Sequence, residues 1–362
     1  MFTEADRKHM ARALELAERG LYTTTPNPRV GCVLVRGGEV VGEGWHERAG
    51  EPHAEVHALR AAGGRVEGAT AYITLEPCSH HGRTPPCTGA LIEAKVARVI
   101  AAMEDPNPLV AGKGLADLRE TGIETGCGLM DSEARDLNIG FVSRMTRGRP
   151  WVRLKIAASL DGKTALLNGR SQWITGPEAR RDGHGWRARA CAVLTGIGTV
   201  KDDDPQLNVR EVETSRQPLR VVVDSRLETP PSAKILAPGT VIAAATREGG
   251  NAAALIAGGA EIVALPNASG KVDLGALMIE LGRRGINELH VEAGHKLNGS
   301  LVRENLVDEL LVYLAPHLLG DAARGMFDLP QLDELSGRRE CELKDVRSVG
   351  VDIRVIARMG SR

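Results

Sequence analysis

His53-Ala54-Glu55-Val56-His57-Ala58-Leu59-Arg60-Ala61-Ala62, then Ala69-Thr70-Ala71-Tyr72-Ile73-Thr74-Leu75-Glu76-Pro77-Cys78, and then Cys87 set the reading of this chain. The first run is helical and is closed by Gly63-Gly64. The second is a β-branched and aromatic strand that ends by delivering Glu76-Pro77-Cys78. Thr88 to Lys95 reads as the next helix and Val96 to Met103 as the next strand. Gly114 to Thr121 reads as a further helix, with a short strand at Ile123. Upstream, residues 4–19 form an amphipathic helix ended by Gly20. Val30 to Val35 and Glu39 to Gly44 are paired strands joined through Arg36-Gly37-Gly38. Helices alternating with strands predict a layered α/β domain. Arg147-Gly148-Arg149-Pro150 reads as a linker, so one domain is expected over 1–147 and another over 151–362.

The second domain opens with a strand from Trp151 to Ser159, followed by a helix from Pro177 to Ala190 with proline in its first turn. Cys191 to Thr195, Leu219 to Asp224, Val241 to Ala245, Glu261 to Leu265, Glu288 to Glu292 and Asp308 to Ala315 are apolar strands. Leu274 to Arg284 and Leu297 to Glu304 are helices. The polar tail from Leu329 has strand-like pieces at Cys341 to Val346 and Val351 to Ala357. Both halves are therefore expected to be α/β.

At 362 residues, two domains fit the length. Residues 1–150 carry 18 Lys and Arg against 20 Asp and Glu, and the remainder 28 against 27. Neither half has the positive excess that grips a nucleic acid backbone. Six cysteines in so long a chain do not make a disulfide scaffold. The start, Met1-Phe2-Thr3-Glu4, is polar and acidic, and no apolar run approaches the ~20 residues that span a bilayer. The expectation is a cytoplasmic protein without a nucleic acid or membrane partner.

His53, Cys78, Cys87 and Glu55 supply one imidazole, two thiolates and a free carboxylate. Three such ligands suit a catalytic zinc that keeps an open position, and zinc brings the pKa of water toward ~7. A carboxylate that is not a ligand can then shuttle protons. The pattern His-x-Glu with Pro-Cys-x-x-Cys marks zinc deaminases of nucleobases; here its second half is stretched to eight residues between the cysteines. A thiolate at Cys87 would gain from the helix start beside it. The bland alternative is that the cysteines are inert core residues and His53 a capping residue. His57, one helical turn after His53, and His80 and His81 inside the stretched interval are rival ligands. Cys32, Cys127, Cys191 and Cys341 read as core residues.

Three segments carry a specific likeness: Thr25-Pro26-Asn27-Pro28-Arg29-Val30-Gly31-Cys32, Gly50-Glu51-Pro52-His53-Ala54-Glu55-Val56-His57-Ala58, and Thr74-Leu75-Glu76-Pro77-Cys78-Ser79-His80-His81-Gly82-Arg83-Thr84-Pro85-Pro86-Cys87. They resemble the deaminase half of the bifunctional riboflavin-biosynthesis deaminase/reductases. Lys155-Ile156-Ala157-Ala158-Ser159-Leu160-Asp161-Gly162-Lys163-Thr164-Ala165, Ser171-Gln172-Trp173-Ile174-Thr175 and Val291-Glu292-Ala293-Gly294 resemble the reductase half. The resemblance implies a cytidine-deaminase-like three-layer domain followed by a dihydrofolate-reductase-like mixed-sheet domain. It implies hydrolytic loss of the 2-amino group of a 2,5-diamino-6-(5-phosphoribosylamino)pyrimidinone, then reduction of the ribosyl group to ribityl by NADPH.

Under that resemblance His53, Cys78 and Cys87 hold zinc, Glu55 moves protons, and Asn27 bonds the pyrimidine, with His80, His81 and Arg83 closing the pocket. Ala157, Trp173, Thr199, Asp203, Ser225 and the turn Gly294-His295-Lys296-Leu297-Asn298-Gly299-Ser300 are implied NADPH contacts. Ser171, Arg187, Leu207, Arg210 and Glu292 are implied substrate contacts. From the residues alone, no G-x-G-x-x-G occurs, so a Rossmann site has no support. The strand-glycine-helix turn at Gly294 can present N–H groups to a phosphate. Guanidinium forks at Arg187 and Arg210 suit a substrate phosphate, although each also reads as a solvated surface charge. Asp161 reads as a turn residue. A homo-oligomer is expected.

Two other readings compete. A polynucleotide deaminase would need a basic groove and stacking aromatics, against aromatics of only 3% here. A module with structural zinc would close its site with four protein ligands, and only three fit the pattern.

Overall fold

The computed structural model describes residues 2–79, 86–108 and 110–360. The chain divides into two compact units, residues 1–148 and 149–362. Among the described residues no helix is long and apolar enough to cross a membrane.

The first unit runs α1 (Glu4–Glu18), β1 (Gly31–Arg36), β2 (Glu39–Trp45), α2 (Ala54–Ala62), β3 (Thr70–Ile73), α3 (Cys87–Glu93), β4 (Arg98–Ala101), α4 (Lys113–Glu120), β5 (Glu124–Cys127), α5 (Asp131–Leu137) and α6 (Ile139–Arg147). The sheet order is β2-β1-β3-β4-β5. β1 is antiparallel to β2 and β3, while β3, β4 and β5 are parallel. Alternation along the strands sends Cys32, Leu34, Ala71 and Ile73 to one face, with Ala54, Ala58 and Ala62 of α2, Leu91 of α3 and Leu118 of α4. It sends Val33, Val35 and Tyr72 to the other, with Met10 and Leu14 of α1 and Ala134 of α5. The result is three layers, helices on both faces of one sheet. α1 starts in a capping box, with Thr3 accepting from the Asp6 N–H and the Asp6 carboxylate accepting from the Thr3 N–H. That motif stabilises a helix start by about 1 kcal/mol.

The second unit runs β6 (Trp151–Ser159), β7 (Lys163–Ala165), α7 (Pro177–Arg189), β8 (Ala192–Gly196), α8 (Ile197–Asp203), β9 (Leu219–Val223), β10 (Val241–Ala244), α9 (Ala252–Ala257), β11 (Glu261–Ala264), α10 (Leu274–Arg283), β12 (Glu288–Val291), α11 (His295–Arg303), β13 (Glu309–Ala315), β14 (Arg324–Gly325), β15 (Cys341–Val349) and β16 (Asp352–Met359). Nine strands form one mixed sheet in the order β11-β10-β9-β8-β12-β6-β13-β16-β15. It is parallel from β11 to β13 and antiparallel at β16 and β15. β7 and β14 form a separate two-stranded ribbon.

One face of the large sheet is apolar: Val152, Leu154 and Ile156 of β6 pack with Leu277, Met278 and Leu281 of α10 and Leu301 of α11. Losing a side chain as buried as Leu154 costs about 2–5 kcal/mol. Of the alternate residues of β6, which turn to the opposite face, Arg153 and Lys155 are charged. Arg153 lies fully buried there, donating to Glu309 at 2.5 Å and to Glu288 at 3.0 Å. Trp186 of α7 lies 4.4 Å from its guanidinium, and Arg189 donates to the same Glu288 at 2.7 Å. A buried ionic layer therefore lies on this face of β6 and β12.

Cys32 and Cys191 are buried and Cys127 half-buried, as core residues are. Cys341 is not: it is exposed, because β15 is the outermost strand of the sheet.

Candidate metal centre and reductive site

The metal-ligating cluster sits where two helices of the first unit begin. His53 is the residue that precedes α2, and its side chain makes no capping bond. Its Nδ1 instead lies 3.3 Å from Cys87 Sγ and 3.6 Å from Cys78 Sγ. Cys87 is the first residue of α3, and its N–H donates to Cys78 Sγ at 3.3 Å. Among the described residues, His53, Cys78 and Cys87 form a cluster able to hold a metal ion, with ligand atoms within 4.8 Å of one another. α2 reaches this position because it lies directly on the backbone of β2. A Cβ at Gly44 would come within 2.5 Å of the Ala54 carbonyl oxygen and the Ala58 nitrogen, so only glycine fits there.

Glu55 lies in the first turn of α2 and is buried. Burial pushes its carboxyl group up, Cys78 adds to that, and His53 opposes it. Hydrogen bonding to Cys87 lowers the Cys78 thiol, with His53 adding to it against burial, while Cys87 is raised by Cys78, by burial and by Glu55. One imidazole nitrogen and two sulfurs suit a zinc ion by donor type and spacing. Among the described residues, His57 does not join the cluster, and its buried Nε2 has no hydrogen-bond partner. His80, His81 and Arg83 lie outside the described residues.

Asn27 belongs to a chain of polar contacts that sequence reasoning did not find. Its Nδ2 donates to His46 Nε2 at 3.0 Å, and His46 Nδ1 meets the Pro52 carbonyl oxygen at 3.1 Å. An acceptor at Nε2 and a donor at Nδ1 define one neutral tautomer. Burial lowers the His46 pKa, in keeping with a neutral ring. The ring stands edge-on to His53 at 5.3 Å. The one signal for His46 was a lone histidine directly after a strand.

In the second unit the candidate residues gather at the C-terminal ends of parallel strands, where open α/β sheets bind ligands. Glu292 follows β12, and both its oxygens are taken by Arg187 of α7, one at 2.9 Å and the other, to Nε, still closer. Lys155 Nζ of β6 lies 3.7 Å from the same carboxylate. Burial opposes ionisation of Glu292, but Arg187 and Lys155 outweigh it and hold the group well below the usual range. Burial and then Arg187, against Glu292, hold Lys155 below its ordinary value. His290, fully buried, places Nε2 3.3 Å from Glu292. Neither Lys155 nor His290 was singled out from sequence, although two cations, Arg153 and Lys155, alternating within a mostly apolar strand were a signal.

Arg187 also donates to the Asn208 carbonyl at 3.2 Å, which brings the Leu207–Arg210 segment to this site. Leu207 is buried and Arg210 exposed. The Arg210 N–H donates to His184 Nδ1 at 3.3 Å. Ser171 donates to Asp203 at 3.1 Å, so those two residues meet. A Cβ on Gly294 would sit 3.7 Å from Thr199 Oγ1, so Thr199 and the start of α11 are adjacent. α11 has no side-chain cap at Gly294. His295, Lys296, Leu297 and Ser300 are exposed or half-exposed, while Asn298 and Gly299 are buried. Asn298 donates to the Met326 carbonyl at 3.2 Å, and its buried Oδ1 has no partner among the described residues. An uncapped helix start behind an exposed glycine fits a phosphate of a dinucleotide. Trp173 is 70% exposed and stacks under the Arg180 guanidinium at 4.7 Å. Ala157 is half-buried in β6. Ser225 is also half-buried, and its Oγ accepts from Val272 N–H at 3.2 Å. Asp161 accepts from the N–H groups of Leu319 and Gly320, at 3.1 and 2.8 Å, and ties down that loop.

A profile of the cytidine and deoxycytidylate deaminase zinc-binding region matches residues 3–103, and one of the RibD C-terminal domain matches residues 150–355. The riboflavin biosynthesis protein RibD of Escherichia coli strain K12 is 52% identical over 96% of this chain and 98% of its own. That of Aquifex aeolicus is 42% identical over 98% of each. Among solved structures, Acinetobacter baumannii RibD superposes with a TM-score of 0.92 at 44% identity, covering 99% of both chains. A diaminohydroxyphosphoribosylaminopyrimidine deaminase/5-amino-6-(5-phosphoribosylamino)uracil reductase from Thermotoga maritima superposes at 0.88 with 32% identity, covering 98% of this chain and 99% of that one.

Proposed function

The chain belongs to the RibD family of riboflavin-biosynthesis proteins, and from that membership we propose that it carries out two consecutive steps on one phosphoribosylaminopyrimidine. Residues 1–147 remove the 2-amino group of the 2,5-diamino-6-(5-phosphoribosylamino)pyrimidinone by hydrolysis. Residues 151–362 then reduce the ribosyl group of the product to ribityl with NADPH. The observation that carries the reading is the three-donor cluster beside the buried Glu55 carboxylate, in the same chain as a reductase domain.

In the first site His53, Cys78 and Cys87 hold zinc, which supplies the Lewis acidity that makes water nucleophilic at neutral pH. Glu55 takes one proton from the attacking water and gives it to the ring nitrogen, then carries the second, from the added hydroxyl group, to the departing amine, which leaves as ammonia. Its raised affinity for a proton suits that traffic. Asn27, oriented by His46, bonds the pyrimidine edge. In the second site NADPH supplies the hydride. The start of α11 from Gly294 to Ser300 takes a cofactor phosphate, with Ala157, Trp173, Thr199, Asp203 and Ser225 along the dinucleotide. Glu292 accepts from ribosyl hydroxyl groups, with Arg187 fixing its orientation. Ser171, Leu207 and Arg210 complete the substrate side. The protein acts in the cytoplasm and is a homo-oligomer; the open edge strand β15, with Leu343 65% and Val346 56% exposed, offers a surface for a second copy.

The test is a paired assay on the zinc-loaded chain: ammonia release from the diaminopyrimidine, and NADPH oxidation on the deaminated product. Both are expected. A chain that binds zinc but releases no ammonia from this substrate sinks the first step; absence of NADPH consumption sinks the second.

A further inference from the structure

Two independent contacts grip the peptide immediately before Cys78. The first is the Glu76 carboxylate, which is buried and turned into the loop that leads to α4. Its Oε2 accepts the N–H of Asp105 at 3.0 Å and of Gly112 at 2.9 Å, and its Oε1 accepts the N–H of Leu115 at 3.2 Å. Gly112 provides no side-chain cap for α4, so the carboxylate satisfies donors that a helix start otherwise leaves open. The second contact is Gly114. A Cβ there would stand 2.0 Å from the Pro77 carbonyl oxygen, so the helix lies against that peptide with no room for a methyl group. On the other side of Cys78, its carbonyl oxygen accepts the Thr88 N–H at 3.2 Å.

We infer that Glu76 and Gly114 form a clamp that positions Cys78 and thereby sets how tightly the first unit holds its metal. Zinc–sulfur bonds are held to ~2.3 Å with a tolerance of ~0.2 Å, so a small shift of the Pro77-Cys78 peptide degrades the site. Glu76 touches neither metal nor substrate; it is a positioning residue. The inference rests on the zinc reading above.

The test uses the full chain as wild type, E76Q, E76A and G114A. Zinc affinity is read by chelator competition, and the site's geometry by the cobalt(II)–thiolate absorption of the cobalt-loaded protein. NADPH oxidation by the second unit is the internal control. The expected result is a ~10–100-fold loss of zinc affinity in E76A and G114A, a smaller loss in E76Q and a shifted cobalt spectrum, all with unchanged NADPH oxidation. E76Q keeps the shape but turns an NH2 group toward backbone donors, so it reports even if E76A does not fold. Wild-type affinity and spectrum in E76Q or G114A would overturn the clamp. Loss of zinc together with NADPH oxidation would mark general misfolding and overturn it too. A wild-type chain that takes up no zinc would instead sink the site on which the inference rests.

Discussion

His53 and Cys87 are 34 residues apart, whereas Arg187 and Glu292 are 105 apart. The metal centre is made locally, by the starts of two successive helices. The ionic centre of the second unit exists only once β6, α7 and β12 have come together. In the first, one ring nitrogen and two sulfurs converge on a single point. In the second, the charges already satisfy one another and the ligand must enter a completed network. The lesson is that the first site should fail by losing an atom and the second by losing a balance.

The comparison can be broken most sharply at Glu55. Glu55→Gln is expected to lower ammonia release by about 10²–10⁴-fold, the range of general acid–base catalysis, while zinc content and NADPH oxidation stay unchanged. Loss of both activities would show that the sites are not independent. Next in size is metal removal. Zinc at about a thousandfold over its dissociation constant stabilises the native state by ~4 kcal/mol, so chelation should lower a thermal transition assigned to the first unit and leave the second in place. Calorimetry with and without chelator reads this.

Arg187→Ala leaves the Glu292 carboxylate buried with Lys155 as its remaining nearby cation. It should destabilise the second unit by about 3 kcal/mol, at the lower end for a broken buried pair, and urea unfolding should show it. The smallest effect is a pH dependence. Burial, then Arg187 and Arg210, against Glu292 and Glu211, hold His184 down to about 4 in the fold. An unfolded histidine titrates near ~6.5. The unfolded chain therefore takes up the proton first, so this stability is intact above pH ~6.5 and drains away as pH falls toward 4. His184→Gln should flatten the urea midpoint across that window.

Local signals made most of the fold legible. Gly63 ends α2 in a left-handed conformation, as a helix-closing glycine does. α5 and α6 were missed: seven and nine residues long, they follow each other through Asn138 without a turn signal. α8 was missed because Gly196-Ile197-Gly198 reads as a turn, although the helix starts at Ile197. That His53, Cys78 and Cys87 come together was readable, because their residue types and spacing point to one chemistry. His46, Lys155 and His290 were not, since each is a single polar residue whose partner is fixed by tertiary contact or sheet register. His290 stands beside Arg153 only because β12 and β6 pair in parallel. Cys341 was misjudged for the same reason: apolar neighbours do not tell an outer strand from an inner one.

The ionic layer of Arg153, Glu288 and Glu309 beneath α7 also bears on how this protein withstands harsh conditions. The penalty for dehydrating such ions shrinks as temperature rises while the contribution of apolar contacts levels off, so warming favours this layer relative to them. Strong acid does the reverse: once the carboxylates are neutralised, a guanidinium remains enclosed with nothing to answer it. The second unit should therefore be hardier toward heat than toward acid.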